Sequence, residues 1–363
     1  MKLDSVTLRV VRLPLIRPYV LSYRTFEEFE PIIVEVCDRD GRVGWGEGHI
    51  SPGSSSETRE GGWAFCNEHA ARIVGMDTAD AKAVVTKRWD DSHVAATAIL
   101  TAIEMLEAHP LLNVERDDRL PLLTPFNSTS FKDIEAEVEQ HLNEGFLTFK
   151  IKVGKDADAD LARVTAIQRA IAGRATMRLD ANRAYSESDG RRFAAALDPA
   201  GIELFEQPCD SDDWDANANV AKVSNVPIML DEPICAIADI ERAADIPNIE
   251  FCKLKLKRFG SLDGLKCALE RVRELGMEPV LGDGTSCELQ CWMEACVARG
   301  VIRNAGEFNG FLKPKIRLFA EPLQFAAGAL VLPAGYAPVV DRTVLAAQEI
   351  ACERFVAARA LAN

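Results

Sequence analysis

Five short stretches decide the fold: TFKIKV (148–153), TMRLDA (176–181), IELFEQ (202–207), PIMLDE (227–232) and FCKLKL (251–256). Each is an apolar run of strand length that carries charge at or near its C-terminal end. Working outward, similar runs begin at Pro121 (PLLTPF), Glu278 (EPVLGD) and Ala305 (AGEF). The eight starts are separated by 27, 28, 26, 25, 24, 27 and 27 residues. Between them lie stretches of helical apolar period, including 134–145, 158–172, 187–197 and 263–275. Strand–helix alternation at this spacing is the mark of successive βα units. Eight of them suit a closed barrel. An open doubly wound sheet is the alternative, but no GxGxxG follows an early strand. The expected fold class is α/β, a TIM-type (β/α)7β barrel over residues 116–325.

Residues 1–115 read differently, as an N-terminal α+β capping domain. Leu3–Leu13 and Ile32–Asp38 alternate as strands, and Asp40-Gly41 in DRDGRVGWGEG (38–48) signals a hairpin. Arg59–Val74 and Val94–Glu107 have helical period. SPGSSSE (51–57) is loop chemistry. The C-terminal segment, 326–363, is long enough to return and pack on the cap.

Composition removes several functions. The chain has 363 residues and a net charge of −14, a field that repels nucleic acid and anionic membranes. No apolar run approaches the roughly 20 residues of a membrane span. MKLDSVTLRVVRLPL reads as an opening strand rather than a secretory signal, so the expected location is cytoplasmic. The ten cysteines form no CxxC pair and are expected as free thiols. The five histidines are His49, His69, His93, His109 and His141. None follows residue 141, which excludes HExxH zinc sites and histidine general bases built from the C-terminal part.

In a barrel the catalytic groups stand at the C-terminal ends of the strands. Asp180, Glu206 and Asp231 end three consecutive strands, about 4.8 Å apart from one to the next. Three converging carboxylates repel one another, and a divalent cation resolves that conflict. All-oxygen ligands favour a hard ion, Mg²⁺ above Zn²⁺. Lys150 and Lys152 share the inward face of strand two, and Lys253, Lys255 and Lys257 alternate along strand six. Lys152 and Lys255 are expected on opposite walls. A free lysine is protonated at pH 7, and neighbouring cations and desolvation favour the neutral amine that a base requires. Taken singly, each motif has an ordinary reading: a solvated strand face, a helix N-cap or a proline turn. Their common phase in successive units sets those readings aside.

FKIKVG, LDAN, FEQP, LDEP and KLKRFGSL together resemble the enolase superfamily, specifically the muconate-lactonising subgroup of the mandelate racemase/muconate lactonizing enzyme family. The resemblance implies Lys152 and Lys255 as general bases, Lys150 as a carboxylate-positioning group, and Asp180, Glu206 and Asp231 as Mg²⁺ ligands. The absence of histidine beyond residue 141 argues against the subgroup whose second base is a His-Asp dyad. The cap loops PYVLSYR (18–24), with Tyr23, and 48–57 would shape specificity. Two features depart from the family pattern. Strand five ends in Asp231-Glu232-Pro233 where DES is usual, and Lys253 stands where a polar amide is usual. Asp283 and Glu307 are further candidates for binding substrate, Glu307 through an ammonium group.

The expected activity is removal of the α-proton of a small-molecule carboxylate substrate. Racemisation or epimerisation of an amino acid or N-substituted amino acid leads. Dehydration of a β-hydroxy acid such as cis-3-hydroxyproline follows, then muconate-type cycloisomerisation. A barrel that serves only in binding would show decay of a base or ligand, and none is decayed. The expected partners exclude nucleic acid and membrane. The expected assembly is a homo-oligomer, as barrels of this kind often form.

Overall fold

The computed structural model describes residues 1–21 and 24–358. Tyr23 lies outside the described residues. Seven parallel strands follow one another around a curled sheet in chain order: Thr124–Phe126, Thr148–Lys152, Thr176–Asp180, Ile202–Glu206, Ile228–Leu230, Ile249–Leu254 and Glu278–Leu281. Helices such as Ile134–Asn143, Ala157–Ile171, Glu187–Ala196 and Leu262–Glu274 connect them. The fold is an α/β barrel with a capping domain.

The eighth run closes the circle more sparingly than its apolar character suggests. Glu307 N donates to Leu281 O at 2.8 Å, Leu123 N to Gly306 O at 3.0 Å, and Gly306 N to Pro121 O at 2.8 Å. A single parallel bridge, Leu122 to Gly306, stands where a ladder was expected. The run has no room for more, because the chain turns into a 3-10 helix at Gly310–Leu312.

Period-2 alternation sorts the side chains. Phe149 and Ile151 are fully buried toward the surrounding helices, while Lys150 and Lys152 face inward. Leu204, Met229 and Val280 pack together as a separate buried cluster. Arg178, also buried, bonds Glu203, Asn304 and the Ala305 carbonyl.

The cap is a four-stranded antiparallel sheet in the order Glu349–Val356, Leu3–Val11, Ile32–Asp38, Val43–Gly48. Leu3, Val6, Leu8, Val34 and Val36 bury against the helices Arg59–Ile73 and His93–Leu106. The expected single strand Leu3–Leu13 is two, Leu3–Val11 and Leu13–Val20, because pairing shifts register at Val10/Val11. The second of these pairs with Thr25–Phe29 and leans on the barrel: Ile16 N donates to Lys313 O at 2.9 Å, and Lys315 N to Pro14 O at 2.8 Å. Glu47 makes another junction. Its carboxylate accepts from the backbone N–H groups of Cys287, Leu289 and Gln290 at the start of helix Glu288–Ala298, where the helix dipole favours an anion. The C-terminal segment divides. Ala329–Leu332 pairs with Asp118–Pro121 on one side and with Gln324–Ala326 on the other, beside the barrel, and Glu349–Val356 joins the cap sheet.

All ten cysteines are free. No helix among the described residues is long and apolar enough to cross a membrane.

Candidate active site

A cavity of about 410 Å³ opens at the C-terminal ends of the strands. Barrel register assembles it. Lys152 pairs with Asp180, and Asp180 with Glu206, so three charged residues that end neighbouring strands share one rung. Asp231 lies just beyond Leu230, the last residue of the fifth strand. Lys150, Lys152, Asp180, Asp231, Lys253, Lys255, Asp283 and Glu307 all line this cavity. Glu206 sits beneath it and touches the lysines.

The acids and amines form a buried network. Lys150 Nζ lies 3.0 Å from Asp180 Oδ2, 2.8 Å from Glu206 Oε2, and 2.9 and 2.8 Å from the two oxygens of Glu307. Burial opposes the Lys150 charge, but Asp180, Glu206 and Glu307 together hold its pKa well above the ordinary lysine range. Lys253 donates to Glu206 Oε1 at 3.2 Å and also pairs with Glu307. Lys152 donates to Asp180 Oδ2 at 2.5 Å and to Asn182 Oδ1 at 2.7 Å. Lys255 reaches Asp231 at 2.9 Å, and Arg258 grips the same carboxylate at 2.9 Å.

Among the acids, Asp180 and Asp231 are stripped of water, yet both are held below the usual carboxylate range, the first by Lys150 and Lys152, the second by Lys255 and Arg258. Glu206 goes the other way: burial, then the charge of Asp180, raises it. Among the described residues, acidic, histidine and cysteine side chains form no ready group of three about a metal position. Each of these carboxylates is turned onto a cation instead. The donor set nonetheless suits a hard divalent cation. It is all carboxylate oxygen, and Asp180 and Glu206 are fully buried.

Several site residues escaped the sequence reading. Glu232 lines the cavity with one buried oxygen unbonded, and burial followed by Asp231 and Asp180 pushes it up to about 7. Strict alternation would aim Asp231 and Glu232 apart, but both lie past the strand end, where alternation lapses. Lys257, expected on strand six, stands instead on the short helix Leu256–Phe259. The strand stops at Leu254, and Gly260 in the left-handed region ends the turn. Lys257 still reaches the site, where it pairs with Asp283. Asp283 also accepts from Thr285 N and Oγ1, at 3.0 and 2.7 Å. Burial disfavours its charge, but Lys257 and Lys255 hold it far below the carboxylate range. Tyr19 lines this cavity and also a neighbouring one that it shares with Lys313. Lys313 Nζ sits 4.5 Å from the Tyr19 ring centroid and donates to Gly284 O and Asn309 Oδ1, at 2.6 and 2.9 Å. Tyr19 falls within the PYVLSYR loop named from sequence. Lys313 follows the last barrel segment and carried no periodic signal.

A protein named L-Ala-D/L-Glu epimerase, from Bacillus subtilis, is 25% identical over 351 residues, 92% of this chain and 95% of its own. Muconate cycloisomerase 1 of Acinetobacter baylyi is 29% identical over 275 residues, 71% of this chain and 74% of its own. The solved muconate lactonizing enzyme from Pseudomonas fluorescens, complexed with muconolactone, shares the fold at a TM-score of 0.87 and 23% identity, covering 96% of this chain and 99% of that one. The family model described as enolase C-terminal domain-like matches residues 133–338, more than half of the chain. The chain therefore belongs to that family, within the mandelate racemase/muconate lactonizing enzyme group of the enolase superfamily.

Proposed function

We propose that this protein removes the α-proton of a small carboxylate substrate with the help of Mg²⁺, and that it racemises or epimerises an amino acid or N-substituted amino acid. The observation that carries the reading is the pair of amines, Lys152 at the end of the second strand and Lys255 just past the end of the sixth, reaching into one cavity. Relatives named as epimerases support the reading of racemisation or epimerisation.

Asp180, Glu206 and Asp231 would hold the ion, with Glu232 beside them. When bound, Mg²⁺ supplies positive charge that stabilises the carboxylate-derived enediolate. The chain's own groups do the rest. Lys150, kept cationic by three carboxylates, orients the substrate carboxylate. One of Lys152 and Lys255 takes the proton from the α-carbon as a neutral amine, and the other delivers a proton to the opposite face. The cap wall, through Tyr19 and the 51–57 loop, covers the mouth and limits water.

The test is incubation of the protein with Mg²⁺ and a library of amino acids and N-acyl amino acids in D₂O. α-Deuterium incorporation with loss of optical activity is expected for at least one compound; no incorporation across the library would sink the reading. Dehydration of a β-hydroxy acid such as cis-3-hydroxyproline is the second reading, and Lys253 does not decide between the two. Loss of water, followed by mass, separates it from racemisation.

A further inference from the structure

A second cavity, of about 370 Å³, adjoins the catalytic one, and Tyr19 lines both. It forms where the eighth barrel run passes into the short 3-10 helix Gly310–Leu312 rather than into a full helix. Residues 16–19 of the cap strand Leu13–Val20 make another side. Part of the lining is apolar. The rings of Phe146 and Phe325 stack there, with centroids 5.0 Å apart and planes at 28°. Pro18, Leu123 and Leu312 extend that surface.

The charged groups of this lining are unlike those of the catalytic cavity, where Lys150, Lys152, Lys253, Lys255 and Lys257 each have a carboxylate partner. Lys313 is half-buried and gives its hydrogen bonds to neutral acceptors, Gly284 O at 2.6 Å and Asn309 Oδ1 at 2.9 Å. Among the described residues it pairs with no carboxylate. Burial pushes its pKa down from 10.5 to about 8, an effect that an adjacent anion opposes. Arg17, exposed at the rim, also pairs with no carboxylate among the described residues. Glu144, the one acid among the described lining residues, is turned to Gln140 Nε2 at 2.9 Å and to His141 Nδ1 at 3.4 Å. An aromatic surface beside two cations without counter-ions is complementary to an apolar body that carries one negative charge. A cation would meet two like charges, and a small inorganic anion would leave the rings uncovered.

We propose that this second cavity is a binding site, separate from the catalytic one, for a small apolar monocarboxylate whose charge meets Lys313 and whose body lies on Phe146 and Phe325. The site needs neither Mg²⁺ nor proton removal, so it stands or falls apart from the reaction proposed above. Because Tyr19 lines both cavities, a molecule held here bears on the wall of the first.

Three probes test it on the full chain, with a chelator present: 3-phenylpropanoate, its uncharged counterpart 3-phenylpropan-1-ol, and propanoate, which lacks the ring. Calorimetry is expected to show saturable binding of 3-phenylpropanoate, with each of the other two weaker by about tenfold or more. Lys313→Met and Phe325→Ala are each expected to weaken 3-phenylpropanoate by about tenfold. Absence of saturable binding overturns the proposal, as does equal binding of the alcohol or of propanoate. Unchanged affinity in folded Lys313→Met and Phe325→Ala proteins also overturns it, because the carboxylate then sits elsewhere. If Lys313→Met does not fold, Arg17→Gln, an exposed change at the same rim, takes its place with an expected loss of about threefold; an unchanged affinity there, together with an unchanged one in Phe325→Ala, counts as the same failure.

Discussion

Lys152 Nζ lies 2.5 Å from Asp180 Oδ2, so an amine proposed as a base is tied to a carboxylate proposed as a metal ligand. Lys255 and Asp231 repeat the relationship at 2.9 Å on the other side of the cavity. The two halves of the site, one to move protons and one to hold a cation, are thus built from shared contacts, and neither half is independent of the other.

The first prediction concerns the bases. Lys152→Ala and Lys255→Ala are each expected to abolish racemisation, with losses of about 10²–10⁴-fold in the affected proton transfer. Each variant is expected to keep exchange with only one enantiomer, the one whose α-proton faces the remaining lysine. Separate deuterium-exchange assays on the two enantiomers check this, and full racemisation by either variant contradicts the two-base scheme.

Cation dependence gives the second. Treatment with a chelator is expected to eliminate α-proton exchange, and added Mg²⁺ to restore it. Asp231→Asn is expected to weaken Mg²⁺ binding by at least about tenfold, read by calorimetry independently of turnover. Exchange that persists in a chelated sample shown to be metal-free by elemental analysis would count against the cation.

Stability should follow pH through a group outside the chemistry. Glu294 is fully buried; burial, and next the charge of Asp283, pushes its carboxyl from 4.5 up to about 8. A group with a raised folded-state pKa adds stability that is complete below its unfolded pKa and is lost as pH rises through the folded value. Thermal stability is therefore expected to decline between about pH 4.5 and pH 8. Glu47 and Glu104, each raised to about 7 by burial, act in the same direction. Glu294→Gln removes one titration, so its Tm relative to the parent is expected to rise steadily across that window. A pH-independent Tm difference between variant and parent refutes the assignment.

Cap packing supplies the last. Gly44, Gly46 and Gly48 let helix His93–Leu106 lie directly on the strand Val43–Gly48; a Cβ on Gly46 would come 1.9 Å from Ala98 O. That atom is helix backbone and cannot rotate away. Gly46→Ala is expected to destabilise the protein by about 1–3 kcal/mol, measured by denaturant titration. Gly41→Ala meets no neighbour, although its φ of +81° still strains an L-residue. The smaller loss is expected there.

Much of this molecule was legible in its amino-acid order, because two regularities are local. Period-2 alternation marks which side chains of TFKIKV and FCKLKL turn inward, and the repeat of about 26 residues is set by the length of one strand, one helix and two turns. Together they single out Lys150, Lys152, Asp180, Glu206, Asp231 and Lys255 as strand-end residues with a shared phase. The family resemblance rests on the same residues.

Only the closed barrel decided who pairs with whom. Glu307 meets Lys150 across 157 positions of sequence because the eighth segment closes against the first strand, and Lys253 reaches both because the sixth strand faces the same interior. Tyr19 and Lys313 meet because the cap hairpin hydrogen-bonds to the segment after the barrel. Glu232 and Lys257 enter the cavity where their strands have ended and alternation no longer governs direction. Charge pairing in a buried site depends on distances between chain-remote atoms, and those are fixed by tertiary closure rather than by spacing along the chain.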